Sequence, residues 1–279
     1  MPDSLHPSPY ALGATEPEHE RLIWQAQRAA PATERLFREA GIGLGQRVLD
    51  IGSGVGDVAI LLARLVGPSG EVLGIERETA SIAKACARVA EARLHNVTFT
   101  QCDVGDIPGG RPFDAAVGRF ILMFLPDPVA VLRSLVKVVR PGGVLAFLEP
   151  SWAPVLARLA PLPLWSKTAA LILDTFLRTG ANPEMGADMY TAFQKAGLPA
   201  PTMRLEMPLG KDPDFAEWFY GLVRTLQPQM RELGLPVDAL GNLDTLHERM
   251  QAEVDAVPTL AAWMAPVGAW ARKPELSKL

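Results

Sequence analysis

Gly52, Gly54 and Gly56, spaced two apart in VLDIGSGVGD, mark where this chain can hold a ligand against its backbone. A turn built from glycines carries no side chains, so another molecule can approach it closely. A dinucleotide fingerprint needs its third glycine three positions after the second, and that position is Asp57. No Lys-Ser/Thr pair follows the turn, which excludes a phosphate-gripping P-loop. Two acids lie further on. Glu76, 24 residues beyond Gly52, can accept both hydroxyls of a ribose. Asp103 in QCDVGD can accept from the exocyclic amine of an adenine while Val104 packs on the ring, with Asp106 as its rival. The chemistry indicated is recognition of an adenosine without a grip on phosphate.

These residues fall where regular elements must end. VLDI at 48–51 reads as a buried strand, and 56–66 as a helix burying Val58, Leu61, Leu62 and Leu65. EVLGIE is a second strand. TASIAKACARVAEARL is helical, with Ile82, Cys86 and Val89 inward and Lys84, Arg88 and Glu91 outward. NVTFTQCD and FDAAVG are strands three and four. PDPVAVLRSLVKVV is a helix burying Val129, Leu132, Val136 and Val139, and RPGG caps it before a fifth strand, VLAFLE. Strand and helix alternating in this way build a parallel sheet of the α/β class, with helices on both faces. Ligands of such sheets sit outside the carboxyl ends of the strands. The second half differs: a largely apolar helix lies in 150–183 and another at 184–197. TMRLEMPL reads as strand six, 213–257 is helical with Leu243, Leu246, Met250 and Val254 on one face, and a closing strand spans about 263–271.

Composition narrows the function. With 48% hydrophobic residues, the 279-residue chain has ample material for a core. Its formal charge of −4 disfavours nucleic acid, whose partners carry a basic excess. Cys86 and Cys102 form no CxxC pair or His/Cys cluster, so no metal site is expected. The N-terminal segment has no signal-like apolar core, and no stretch approaches a membrane span. A soluble, cytoplasmic protein is expected, with no membrane partner.

VLDIGSGVGD, GIERE, QCDVGDIP, FDAAVGRFILMFLPDP and RPGGVLAFLEP occur in the order and spacing of five motifs of one family. Over about residues 40–150 the sequence resembles the class I S-adenosylmethionine-dependent methyltransferases. YALGATEPEHERLIWQAQ and VGAWARKP extend the resemblance to bacterial small-molecule enzymes of the ubiquinone/menaquinone type. The resemblance implies a Rossmann-like fold: a seven-stranded, mostly parallel sheet with helices on both faces and a helical cap, strand seven being antiparallel between strands five and six. It implies S-adenosylmethionine as cofactor, with Asp50, Gly52, Ser53 and Gly54 around the methionine part. Glu76 would take the ribose, Arg77, Asp103 and Val104 would surround the adenine, and Arg119 would lie where cofactor or substrate contacts begin. Tyr10 and Gln25 match the N-terminal pattern and would close over the methionine end. The organisation expected is lid helices over 1–40, a cofactor-binding core over 41–150, a cap insertion over 151–183, a core continuation over 184–209, a helical cap over 210–257 and a closing strand within 258–279.

Methyl transfer from a sulfonium is an in-line displacement in which the donor supplies the activation, so alignment and exclusion of water are the protein's main tasks. A base is needed only if the acceptor must lose a proton. Glu149 at the end of strand five and His19 in the lid are the candidates. Trp152, Trp165, Phe176, Trp218, Phe219 and Tyr220 mark the cap as either a hydrophobic core or a pocket for a small, largely hydrophobic acceptor. A homodimer is compatible with these features.

Overall fold

A computed structural model of the chain describes residues 15–107 and 109–275. Chain order begins with helix α1 (Glu16–Glu39), then β1 (Arg47–Ile51), α2 (Asp57–Val66), β2 (Glu71–Glu76), α3 (Thr79–Glu91), β3 (Val97–Gln101) and β4 (Phe113–Arg119). A short 3₁₀ turn, Leu122–Phe124, precedes α4 (Pro128–Val138) and β5 (Val139–Pro150). There follow α5 (Ala153–Leu159), α6 (Pro163–Arg178), α7 (Met185–Lys195), β6 (Thr202–Leu205), β7 (Leu209–Gly210), α8 (Pro213–Glu232), α9 (Leu246–Asp255), β8 (Ala261–Ala262) and β9 (Pro266–Arg272).

The chain divides into two compact units. The larger comprises His19–Ser151, Glu184–Glu206 and the residues from Pro266 on. Its sheet has the order β3-β2-β1-β4-β5-β9-β6. β1 to β5 pair in parallel, while β9 pairs antiparallel with both β5 and β6. This is the seven-stranded, mostly parallel sheet expected. From β1 the chain steps outward to β2 and β3, then returns to β4 on the other side. The strand order reverses there, and the crevice of an open α/β sheet opens at such a point. Val48, Val72, Ala115, Val117, Val144 and Ala146 supply the sheet's side of one core, and Val58, Ala59, Leu62, Leu65 and Val66 the α2 side.

Several helix faces differ from the sequence expectation. On α3 the buried residues are Ser81, Ala85 and Val89, whereas Cys86 is exposed and Arg88 turns partly inward. Gly56 explains the preference for small residues. It takes φ of 87° as the N-cap of α2, and a Cβ there would meet the Ala85 Cβ at 3.1 Å and Phe99 at 3.2 Å. Gly56→Ala should therefore destabilise the larger unit by about 1–3 kcal/mol, from left-handed backbone strain and crowding together. Urea unfolding would report it, and an unchanged midpoint would refute the packing argument. On α4 the buried residues are Val131, Leu132 and Leu135, not Val129 and Val136. β5 starts at Val139, so RPGG lies inside that strand. α1 runs through an exposed Pro31 to Glu39, further than its proline suggests. A proline removes one helical N–H.

The smaller unit contains the described residues up to Glu18, Trp152–Pro183 and Met207–Ala265. α6 buries Trp165, Ala169, Ile172 and Phe176, and α8 buries Trp218, Phe219, Leu222 and Leu226. α9 contributes Leu246, Met250 and Val254, three residues of the face read from sequence. A two-stranded antiparallel ribbon joins β7 and β8. No helix among the described residues is long and apolar enough to cross a membrane.

Candidate functional site

The register of the parallel strands sets the candidate site. Asp50 pairs with Gly74 and Val117, Glu76 with Gln101, and Arg119 with Leu148. The carboxyl ends of β1 to β4 therefore bring the glycine turn, Glu76, Asp103 and Arg119 to one edge of the sheet. In the turn Gly52, Gly54 and Gly56 take φ of 62°, 51° and 87°, conformations that a side chain would strain. The Ser53 amide donates to Ile75 O at 3.0 Å, and the Gly56 amide to Ser53 O at 2.9 Å. Nothing lies within 4 Å of where a Gly54 Cβ would stand. The turn is thus tied down on the sheet side and open at Gly54.

Glu76 is half-buried and anchored. Its Oε2 accepts from the Gly54 amide at 2.9 Å, and its Oε1 from the Arg77 and Glu78 amides at 2.8 and 3.1 Å. A carboxylate offers about four lone-pair sites, so these three bonds orient it and leave limited capacity for hydroxyls. Arg77 is half-exposed and pairs with Glu78 at 3.4 Å. Asp103 is exposed just past β3, where its Oδ1 accepts from the Gly105 amide at 3.2 Å, and Val104 sits in the same turn. Its rival Asp106 donates its amide to Asp103 O at 2.9 Å.

Beneath the turn lies a set of charges. The Asp50 carboxyl is buried and its Oδ2 has no hydrogen-bond partner; the Ser53 Oγ is likewise buried and unpartnered. Burial pushes Asp50 up to about 8, against the opposing pull of Arg119. Arg119 is itself held below the usual guanidinium range by burial, with Asp57 and Asp50 acting the other way. Its Nη1 lies 3.4 Å from Thr33 Oγ1 on α1. Arg88 donates to Val55 O at 2.6 Å and pairs with Asp57 at 2.7 Å. The residue that breaks the dinucleotide fingerprint is thus the anchor of an arginine that clamps the turn. Sequence reasoning placed Arg88 on the outer face. The signal available was its offset from Ser81, Ala85 and Val89, which form a face only when small residues count as buried.

Glu149 is fully buried at the end of β5. Its Oε1 accepts from the Ile121 and Leu122 amides, both at 2.9 Å, and its Oε2 from Met123 at 3.2 Å. Burial raises it to about 7 although these three amides favour the charged form. The carboxyl that sequence position nominates as a base is therefore committed to holding the loop after β4. That loop matters to the site. Phe120 takes φ of 54°, and the Ile121 side chain packs so closely on Gly52 that a Cβ there would meet it at 2.6 Å. Neither Phe120 nor Ile121 stood out in the sequence.

Of the lid residues, Tyr10 lies outside the described residues. His19 is buried on α1 with its Nε2 3.2 Å from Ser81 Oγ at the start of α3. Gln25 is buried on α1, and its Oε1 accepts from Arg21 at 2.8 Å. In the smaller unit Trp152 stacks on Trp218 with ring centres 5.7 Å apart and meets Phe176 and Phe219 edge-on. Trp165 is fully buried, its indole N–H donating to Met250 O at 2.8 Å, which makes it part of that unit's core. Tyr220 stands apart from this cluster, 5.1 Å from the His247 ring. Among the described residues, no three His, Cys, Asp or Glu side chains group as metal ligands.

The model of the methyltransferase domain family matches residues 43–197, more than half of the chain. The chain belongs to the methyltransferase-domain family. This methyltransferase-domain protein is 35% identical over 112 residues to the ubiquinone/menaquinone biosynthesis C-methyltransferase of Cellvibrio japonicus, a match covering 39% of this chain and 45% of that one. It is 34% identical over 108 residues to the demethylmenaquinone methyltransferase of Listeria monocytogenes, covering 38% and 46%. The chain thus spans a little under half the length of these curated relatives. The solved structure of YcgJ from Bacillus subtilis superposes with a TM-score of 0.60 at 16% identity, over 88% of this chain and all of that one. This likeness shows the fold. The family's cofactor is S-adenosyl-L-methionine. The edge described fits it: a glycine turn open at Gly54, an acid beside it, and two buried oxygens, Asp50 Oδ2 and Ser53 Oγ, without a hydrogen-bond partner.

Proposed function

We propose that this chain moves a methyl group from S-adenosylmethionine to a small, largely hydrophobic acceptor by in-line displacement. The observation that carries the reading is the pair of buried, unpartnered oxygens on Asp50 and Ser53 beneath an open glycine turn. Buried polar atoms are normally satisfied, so a hydrogen-bond partner from a bound molecule is what these two lack. In this reading Asp50, Gly52, Ser53 and Gly54 receive the methionine end. Glu76 receives the ribose, and Arg77, Asp103 and Val104 flank the adenine. Arg119 balances the acids of the turn, and Gln25 and Tyr10 close over the methionine end.

The bound sulfonium supplies the activated methyl group, and the chain supplies position and exclusion of water. Alignment of this kind contributes up to about 7–11 kcal/mol. Glu149 enters as a positioning group, because three amides already claim its oxygens. His19 is engaged with Ser81, so a proton that the acceptor loses as its bond to the methyl carbon forms and the carbon–sulfur bond breaks goes to solvent. Trp152, Trp165, Phe176, Trp218 and Tyr220 belong to the unit that selects an apolar acceptor. The names of the curated relatives point to a ring of the quinone type. The same reading puts the protein in the cytoplasm, as a monomer or homodimer with no nucleic-acid partner.

Incubation with methyl-labelled S-adenosylmethionine and a metabolite extract tests it. The expected result is label in an apolar product heavier than its precursor by one methyl group. A bound cofactor whose label never leaves, with product masses unchanged, would overturn the reading.

A further inference from the structure

Asp50 is the buried acid at this site whose chemistry the fold leaves open. It lies one residue before the end of β1, is 1% exposed, and presents an unpartnered Oδ2. The charged groups that face it come from neighbouring elements. Arg119 on β4 favours its ionised form, while Glu76 at the end of β2 and Asp57 at the start of α2 oppose it. The Ala59 amide of α2 donates to it, and Arg88 on α3 holds Asp57. Past the ends of β2 and β3 stand Arg77, paired with Glu78, and the exposed Asp103, and on α1 His19 has its Nε2 on Ser81 Oγ. Burial outweighs the pull of Arg119 and of the Ala59 amide and sets Asp50 at about 8, so the acid is mostly neutral at pH 7. The charges then balance, with Asp57 and Glu76 against Arg88 and Arg119. A ligand that adds one positive charge calls for one more carboxylate here.

We propose that Asp50 makes this site charge-selective, releasing its proton when the cationic methyl donor binds and keeping it when the demethylated product binds. The inference rests on the methyl-transfer reading above. The donor carries a sulfonium, an ammonium and a carboxylate, a net charge of plus one. Its product carries a thioether in place of the sulfonium and is neutral overall. The Asp50 proton goes to solvent as the donor binds and returns from solvent once the methyl group and its charge have gone. Discrimination for donor over product therefore grows as pH rises.

Calorimetric titration of the full chain with S-adenosylmethionine and with S-adenosylhomocysteine, in buffers of different ionisation enthalpy, counts the protons. Donor affinity should rise about tenfold from pH 6 to 7 and about fivefold from pH 7 to 8, with close to one proton released at pH 7. Product affinity should stay flat over that range, with no proton released. Asp50→Asn keeps the shape and fixes the neutral form. It should flatten the pH profile of donor affinity and abolish the proton release that accompanies donor binding, while circular dichroism reports that the variant is folded. Proton release on donor binding that persists in Asp50→Asn, or equal proton release with both ligands, would overturn the proposal. If neither ligand bound the wild-type chain, the methyl-transfer reading itself would fail, a different outcome from binding without proton release.

Discussion

Glu149→Ala is expected to lower the stability of the larger unit by about 4 kcal/mol or more, the largest single effect that this structure implies. The side chain is fully buried, and its loss would strand the Ile121, Leu122 and Met123 amides. Each stranded donor carries a desolvation penalty of about 1–3 kcal/mol. Urea unfolding measures the loss, and a change under about 1 kcal/mol would show that the loop does not depend on this contact. A pH series adds a second reading. Glu149 stands at about 7 in the folded chain and near 4.5 as a free side chain. An acid raised on folding holds its proton longer in the folded state, so its stabilising share is present below about 4.5 and is lost as pH rises through 7. Asp50 adds the same sign of slope up to about 8. Wild-type stability should therefore fall between pH 5 and 8, and Asp50→Asn should remove the upper part of that fall.

Glu76→Ala should weaken binding of S-adenosylmethionine by roughly 10- to 100-fold. The one acceptor site that the three amides leave takes a single hydroxyl bond to a charged group, about 1.5–3 kcal/mol. The same variant frees the Gly54, Arg77 and Glu78 amides, so part of the loss comes from a loosened turn. A 2′-deoxyribose analogue of the product separates the two contributions. If Glu76 reads the ribose, the analogue loses far less than the parent ligand on going from wild type to Glu76→Ala. Equal losses for both ligands would reduce Glu76 to a clamp on the turn.

The strand ends were legible because order and spacing fix them. Glu76 and Asp103 close β2 and β3 in any right-handed parallel arrangement of this sequence. What escaped the sequence depends on contacts between distant elements. The inward face of α3 is written in Ser81 and Ala85, small residues that carry no hydrophobic periodicity; Ala85 packs on the left-handed Gly56 and Ser81 on His19. Arg88 followed the same error outward. Glu149 was read by position as a base, since nothing in VLAFLEP reveals amides 26 to 28 residues upstream that need an acceptor. The cap aromatics were recognisable as a set, but their partition was not. Trp152 and Trp218 stack, Trp165 is sealed against Met250, and Tyr220 keeps company with His247.

The place of β9 constrains the order in which the chain can assemble. Among the described residues β6 pairs with β9 alone, and β9 enters between β5 and β6 as an antiparallel strand. A nascent chain therefore carries β5 with one bare edge, and β6 with two, until residues 266–272 have left the ribosome. Exposed strand edges of that kind are where growing chains misassociate. The half formed by β1 to β5 can zip up early from near-neighbour crossovers, whereas insertion of β9 spans the whole intervening cap and carries the slower, non-local share of folding. Synthesis thus leaves the sheet open along the seam that its last strand must fill.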